Sequence, residues 1–179
     1  MEPTLEEMTA LFERSNRVFL SGEASNIVNG TSERCLCGAL MLRLRGMLDQ
    51  TAFSGYYVDI EYNRNQGGML KTIVNGSEGV VPITCDLIIH SRGENLLRDN
   101  LMAIELKRNT HSKSDRDSDK LRLKCLTKDS FDDVWSYDGT TLPEHVCRYI
   151  LGVYYEINKD RRTAQINYYA KGRMIHQYS

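Results

Sequence analysis

The sequence predicts one α/β (or α+β) domain, ordered as helices, a mainly antiparallel sheet, a helix and further strands. Three observations carry that expectation. Apolar residues recur at helical spacing in two stretches before Asp49, and from Gly55 the period switches to two. The 179 residues are enough to bury one core, and no internal repeat or low-complexity tract divides them.

Taken in order, Thr4-Leu5-Glu6-Glu7 has capping-box form, and Leu5, Met8, Leu11 and Phe12 then mark a helical stripe. The polar stretch SGEASNIVNGTS reads as a connection. A second helix is expected after Ser32, through ERCLCGALMLRLRGML, with Leu36, Cys37, Leu40, Leu44, Met47 and Leu48 on its apolar face. Glu33 heads that stripe, which directs its carboxylate toward the core side. YYVDIEYN reads as a strand, followed by a Gln66-Gly67-Gly68 turn and a strand over Met69–Val74. Val80–Ser91 and Leu101–Arg108 are two more extended segments, joined by the loop RGENLLRDN. Residues 112–128 form a charged helix. The chain closes on two β-rich runs, HVCRYILGVYYEIN and TAQINYYAKGRMIH, split by Lys159-Asp160-Arg161.

A formal net charge of −1 means that any polyanionic partner must be met by a local basic patch. No apolar stretch approaches the roughly 20 residues that span a bilayer. The acidic amino terminus lacks a signal pattern, so no membrane association and a cytoplasmic location are expected. Five cysteines show no CxxC pair or zinc spacing and read as free thiols in a reducing compartment. The histidines at 90, 111, 145 and 176 form no metal motif.

The informative segment is CDLIIHSRGENLLRDNLMAIELKRN, residues 85–109, which carries Asp86, Glu105 and Lys107 inside otherwise apolar strands. Charges seldom enter such positions unless paired or holding a metal. Glu105 and Lys107 share a strand face with Ala103, and a hairpin register can bring Asp86 beside Glu105. Two carboxylates with the Leu106 carbonyl make a hard-oxygen set suited to Mg²⁺. Lys107 would place a point charge where negative charge builds in a phosphoryl-transfer transition state. Taken alone, Asp followed at a distance by Glu-x-Lys is a loose pattern that a chain this charged also produces by chance.

These residues resemble the PD-(D/E)XK superfamily of restriction-endonuclease-like nucleases, in particular small bacterial members. The match runs through Ser32-Glu33, the strand Asp59-Ile60-Glu61-Tyr62-Asn63-Arg64 and Asp86-Leu87-Ile88-Ile89-His90-Ser91-Arg92-Gly93, to Glu105-Leu106-Lys107. It covers roughly residues 32–125; the proline that usually precedes the aspartate is Cys85 here, with Pro82 three residues earlier. The resemblance implies a central mixed β-sheet flanked by helices and a metal-dependent hydrolysis of phosphodiesters, with Mg²⁺ or Mn²⁺ as cofactor. The metal ligands would be Asp86, Glu105 and the Leu106 carbonyl. Lys107 would complete the catalytic set, with Glu33 as a further ligand or a water orienter.

Other signals have two readings each. Asp59, Glu61 and Asn63 alternate as an exposed strand face or an ion pair to Arg64, or else support Lys107 or a metal-bound water. Residues 107–128 hold eight basic side chains against three aspartates. Arg108, Lys113, Arg116, Lys120 and Lys124 are then either a solvated face or a phosphate-tracking patch. Tyrosines 149, 154, 155, 168 and 169 read first as half-buried sheet residues. His90 reads as strand-end packing or a loop hydrogen bond before a substrate contact. The expected partner is nucleic acid, DNA before RNA, with a homodimer or a partner subunit also open. The alternatives are a non-catalytic binding module on the same fold and a nuclease subunit active only with its partner.

Overall fold

Thr4 starts the first helix with a reciprocal cap, its hydroxyl accepting from Glu7 N–H while the Glu7 carboxylate accepts from Thr4 N–H. Helix α1 then runs Leu5–Val28, and Ser32 caps α2, Glu33–Leu48. This computed structural model describes residues 2–64, 72–75, 79–82, 84–95, 97–129, 147–158 and 163–178. The helix α1 continues through most of the stretch expected as a connection. Ile27 is buried there, and Glu23 lies 3.8 Å from Arg43 of α2, so tertiary contact overrides the weak helix preference of Ser21, Gly22, Ser25 and Asn26.

The strands are β1 (Tyr57–Ile60), β2 (Thr72–Asn75), β3 (Gly79–Pro82), β4 (Leu87–His90), β5 (Asn100–Arg108), β6 (Leu151–Asn158), β7 (Thr163–Ala170) and β8 (Arg173–Tyr178). Six of them form one mixed sheet in the order β1-β4-β5-β6-β7-β8, parallel only between β5 and β6. Helix α3 (Lys113–Leu126) lies in the β5–β6 crossover, capped by Ser112, whose hydroxyl accepts from Asp115 N–H. Strands β2 and β3 form a separate antiparallel pair.

Two expectations change at this level. Val80–Ser91 is two strands in different sheets, and the chain leaves β3 at Pro82, which has no N–H for a ladder. The last run is two strands as well. Lys171 and Gly172 both hold positive φ, 51° and 74°, and turn the chain between the paired Ala170 and Arg173. The expected turns at 66–68 and 159–161, the strand start at 69–71 and His145 lie outside the described residues.

Alternation sorts the sheet into two faces. Leu87, Ile89, Met102, Ile104, Leu106, Val153, Tyr155 and Ile157 face α1 and α2, where they meet Met8, Phe12, Phe19, Leu40 and Leu44. Ile88, Ala103 and Tyr154 face α3 with Leu123 and Leu126. Gly152 lets α3 come close to β6, since a Cβ there would stand 3.0 Å from Thr127 Cγ2. Among the described residues, no helix is long and apolar enough to cross a membrane.

Candidate functional site

The β4–β5 register pairs Leu87 with Ile104 and Ile88 with Ala103, so its next step sets Asp86 opposite Glu105. Asp86 Oδ2 accepts the Leu106 backbone N–H at 2.8 Å and lies 3.4 Å from Lys107 Nζ. Behind Asp86, its carbonyl accepts from Glu61 N–H at 3.2 Å. Glu61 takes φ 49° where β1 ends, and its side chain pairs with Arg34 of α2 at 2.6 Å. Strand β1 and the start of α2 thereby fix the turn that carries Asp86.

Glu105 is fully buried beneath α3. Its Oε1 accepts from Arg122 Nη1 at 2.5 Å, and the same nitrogen donates to Asp119 Oδ1 at 3.0 Å. Asp119 Oδ2 stands 3.7 Å from Lys107 Nζ. Three carboxylates and two cations therefore share one face. Burial pushes Glu105 up to about 8, against the pull of Arg122 and with the repulsion of Asp86 and Asp119. Burial likewise raises Asp119 despite Lys107 and Arg122. For Lys107, burial works downward, but Asp86, Asp119, Glu105 and Glu33 hold it above the usual lysine range. Glu105 Oε2 and Asp119 Oδ2 are buried without a hydrogen-bond partner among the described residues. Such orphaned acceptors are uncommon in a folded core.

Glu33 joins this cluster from one side. Its Oε1 accepts from Arg108 N–H at 2.9 Å and is 2.6 Å from His111 Nε2. The carboxylate thus ties α2 to the end of β5, a more exposed position than the core-side placement expected from the stripe. Cys37, one turn along α2, is buried, and burial together with Asp86 and Glu33 pushes its thiol up to about 12. It is an inert packing group.

The remaining candidates separate from the cluster. Asp59 accepts from Arg92 at 2.8 and 2.6 Å and lies 2.9 Å from His90 Nε2, so it supports the β1–β4 edge in place of Lys107. Burial works against the Asp59 charge, but Arg92 and His90 hold the carboxyl below its usual range. Within the basic set of α3, Lys113 and Lys124 are exposed, while Arg116 and Lys120 have partners on β6. Lys113 pairs with Asp117, Arg116 with Glu156 at 3.2 Å, and Lys120 sits 4.7 Å above the Tyr154 ring. Arg108 donates to the Thr31 carbonyl. Tyr154 donates to Glu156 at 2.8 Å, extending the charged face onto β6.

No protein-family model matches the chain, and neither does any curated protein or solved structure. The site therefore stands on its own geometry. Among the described residues, no three His, Cys, Asp or Glu side chains converge as a ready metal-ligand set. Lys107 stands beside Asp86, and the β4–β5 register sets Asp86 opposite Glu105, the pairing that strand parity left open. Asp119 and Arg122 are the members that sequence reading passed over. Their signal was available, because 119, 122, 123 and 126 share one helical stripe with the buried leucines.

Proposed function

We propose that this chain is a divalent-cation-dependent phosphodiesterase of the PD-(D/E)XK type, acting on nucleic acid. The observation that carries the reading is the meeting of Asp86, Glu105 and Lys107 on the α3 face, with Glu105 Oε2 buried and without a donor among the described residues. A carboxylate that is fully buried and orphaned on one oxygen suits a further cation. The neighbouring strands β4 and β5, flanked by helices on both faces, are consistent with a restriction-endonuclease-like fold.

In this reading Asp86, Glu105 and the Leu106 carbonyl would hold Mg²⁺ or Mn²⁺. The bound ion would polarise a phosphoryl oxygen and make its water more acidic. Lys107, held between Asp86 and Asp119, offers ammonium donors to the charge that builds on the phosphoryl group. Glu33 fixes the end of β5 through Arg108 N–H, so that Lys107 keeps its direction. Asp119 and Arg122 orient Lys107 and Glu105 from above.

The test uses labelled nucleic acid with Mn²⁺, comparing wild type with Lys107→Ala and Glu105→Gln. Loss of cleavage by at least about 100-fold in both variants, with folding retained, is expected for groups that stabilise the transition state. Cleavage at the wild-type rate in either variant would remove the reading.

A further inference from the structure

We infer that Arg122 is a positioning residue that holds Glu105 in the cation-free protein and retires onto Asp119 alone when a divalent cation takes Glu105. The inference rests on the cation site proposed above and assigns a neighbour of that site a role of its own.

The geometry comes from one nitrogen. Arg122 Nη1 donates to Glu105 Oε1 at 2.5 Å and to Asp119 Oδ1 at 3.0 Å, so it can leave the first acceptor while keeping the second. A guanidinium in contact with Glu105 puts positive charge beside the position a metal cation needs, and the two repel at such a distance. Both would therefore not share Glu105 closely.

Both orphaned oxygens then gain a use. Glu105 Oε2 is free to meet the cation, and Asp119 Oδ2 offers the displaced guanidinium a second acceptor for a two-point pair. Among the described residues, the cations paired with Asp86, Glu105 and Asp119 are Lys107 and Arg122. The next residue, Leu123, is fully buried, and Leu126 and Gly152 seat the same helix end on β6. The backbone of α3 at this point is thus held, and the exchange needs only the Arg122 side chain, which is 26% exposed.

Mn²⁺ affinity reads this directly, without any turnover. The free ion is followed by electron paramagnetic resonance in wild type, Arg122→Gln and Arg122→Lys, all at one pH. Removing the competing charge is expected to tighten Mn²⁺ binding at least about tenfold in Arg122→Gln, while Arg122→Lys, which keeps the charge, stays within about threefold of wild type. Unchanged or weaker binding in Arg122→Gln overturns the inference and leaves Arg122 a structural clamp. Should Arg122→Gln fail to fold, a crystal structure of wild type with Mn²⁺ decides. Arg122 on Asp119 alone supports the exchange, and Arg122 still within hydrogen-bond distance of Glu105 beside a bound ion overturns it. The two failures are distinct: Mn²⁺ seated on Glu105 with Arg122 unmoved sinks only this inference, whereas absence of any Mn²⁺ binding sinks the cation site and the inference together.

Discussion

The two faces of the six-stranded sheet are built on different principles. Under α1 and α2 the sheet meets aliphatic and aromatic side chains, and the tyrosine hydroxyls at its margin have partners. Tyr155 donates to Asn16 at 2.6 Å and Tyr168 to Glu13 at 2.8 Å. Under α3 a small apolar cluster gives way to Asp86, Glu105, Lys107, Asp119 and Arg122, with two carboxylate oxygens lacking a hydrogen-bond partner among the described residues. Buried ion pairs seldom stabilise as well as an apolar filling of the same volume. The first face holds the fold together, and the second carries groups whose presence stability does not explain.

The largest expected effect lies on the apolar face. Phe12 is fully buried, with its ring edge-to-face against Tyr155 and Tyr168 at 5.9 Å. Phe12→Ala should lose about 3–5 kcal/mol in urea unfolding at neutral pH. A loss below about 1 kcal/mol would show that this face is not the stabilising one.

The charged face should respond in the opposite direction. Glu105 is held at about 8 in the fold, above its ordinary 4.5. Its protonated form therefore favours folding in full below about pH 4.5, and that contribution is lost as pH rises to about 8. Glu105→Gln cannot ionise and still accepts from Arg122. Relative to its own value at pH 4.5, the variant should be more stable than wild type at pH 8.5 by on the order of a few kcal/mol. Parallel stability–pH curves for the two proteins would refute a carboxyl buried against its charge.

The smallest effect sharpens the contrast at its polar edge. Tyr155→Phe removes the bond to Asn16 and should destabilise by about 1 kcal/mol at every pH, because neither partner titrates near neutrality. A pH-dependent loss would mean that charges reach this face too.

How far the sequence could be read follows the same division. Strand parity was sufficient to put Glu105 and Lys107 on one face and to allow Asp86 beside them, because alternation is a local property of the chain. The extent of α1 was not legible, since Ile27 and Glu23 act through contacts with distant residues. Nor was the fate of the α3 charges. Lys113, Arg116 and Lys120 read as a solvated face or a phosphate-tracking patch, and the sequence does not show that Asp117, Glu156 and Tyr154 stand beside or beneath them. Asp119 and Arg122 were hidden among those charges, although their place on the Leu123 stripe pointed inward. Local periodicity reveals which way a side chain points, and only the assembled fold reveals what it meets.

The central claim is that the charges under α3 exist to work on a phosphodiester. Its most direct test is incubation of the wild-type protein with single- and double-stranded DNA and RNA, with and without Mn²⁺. Cleavage of at least one of them only when Mn²⁺ is present, and lost on Lys107→Ala, is the predicted result. Intact nucleic acid in every mixture, or cleavage that persists without a divalent ion, would contradict it.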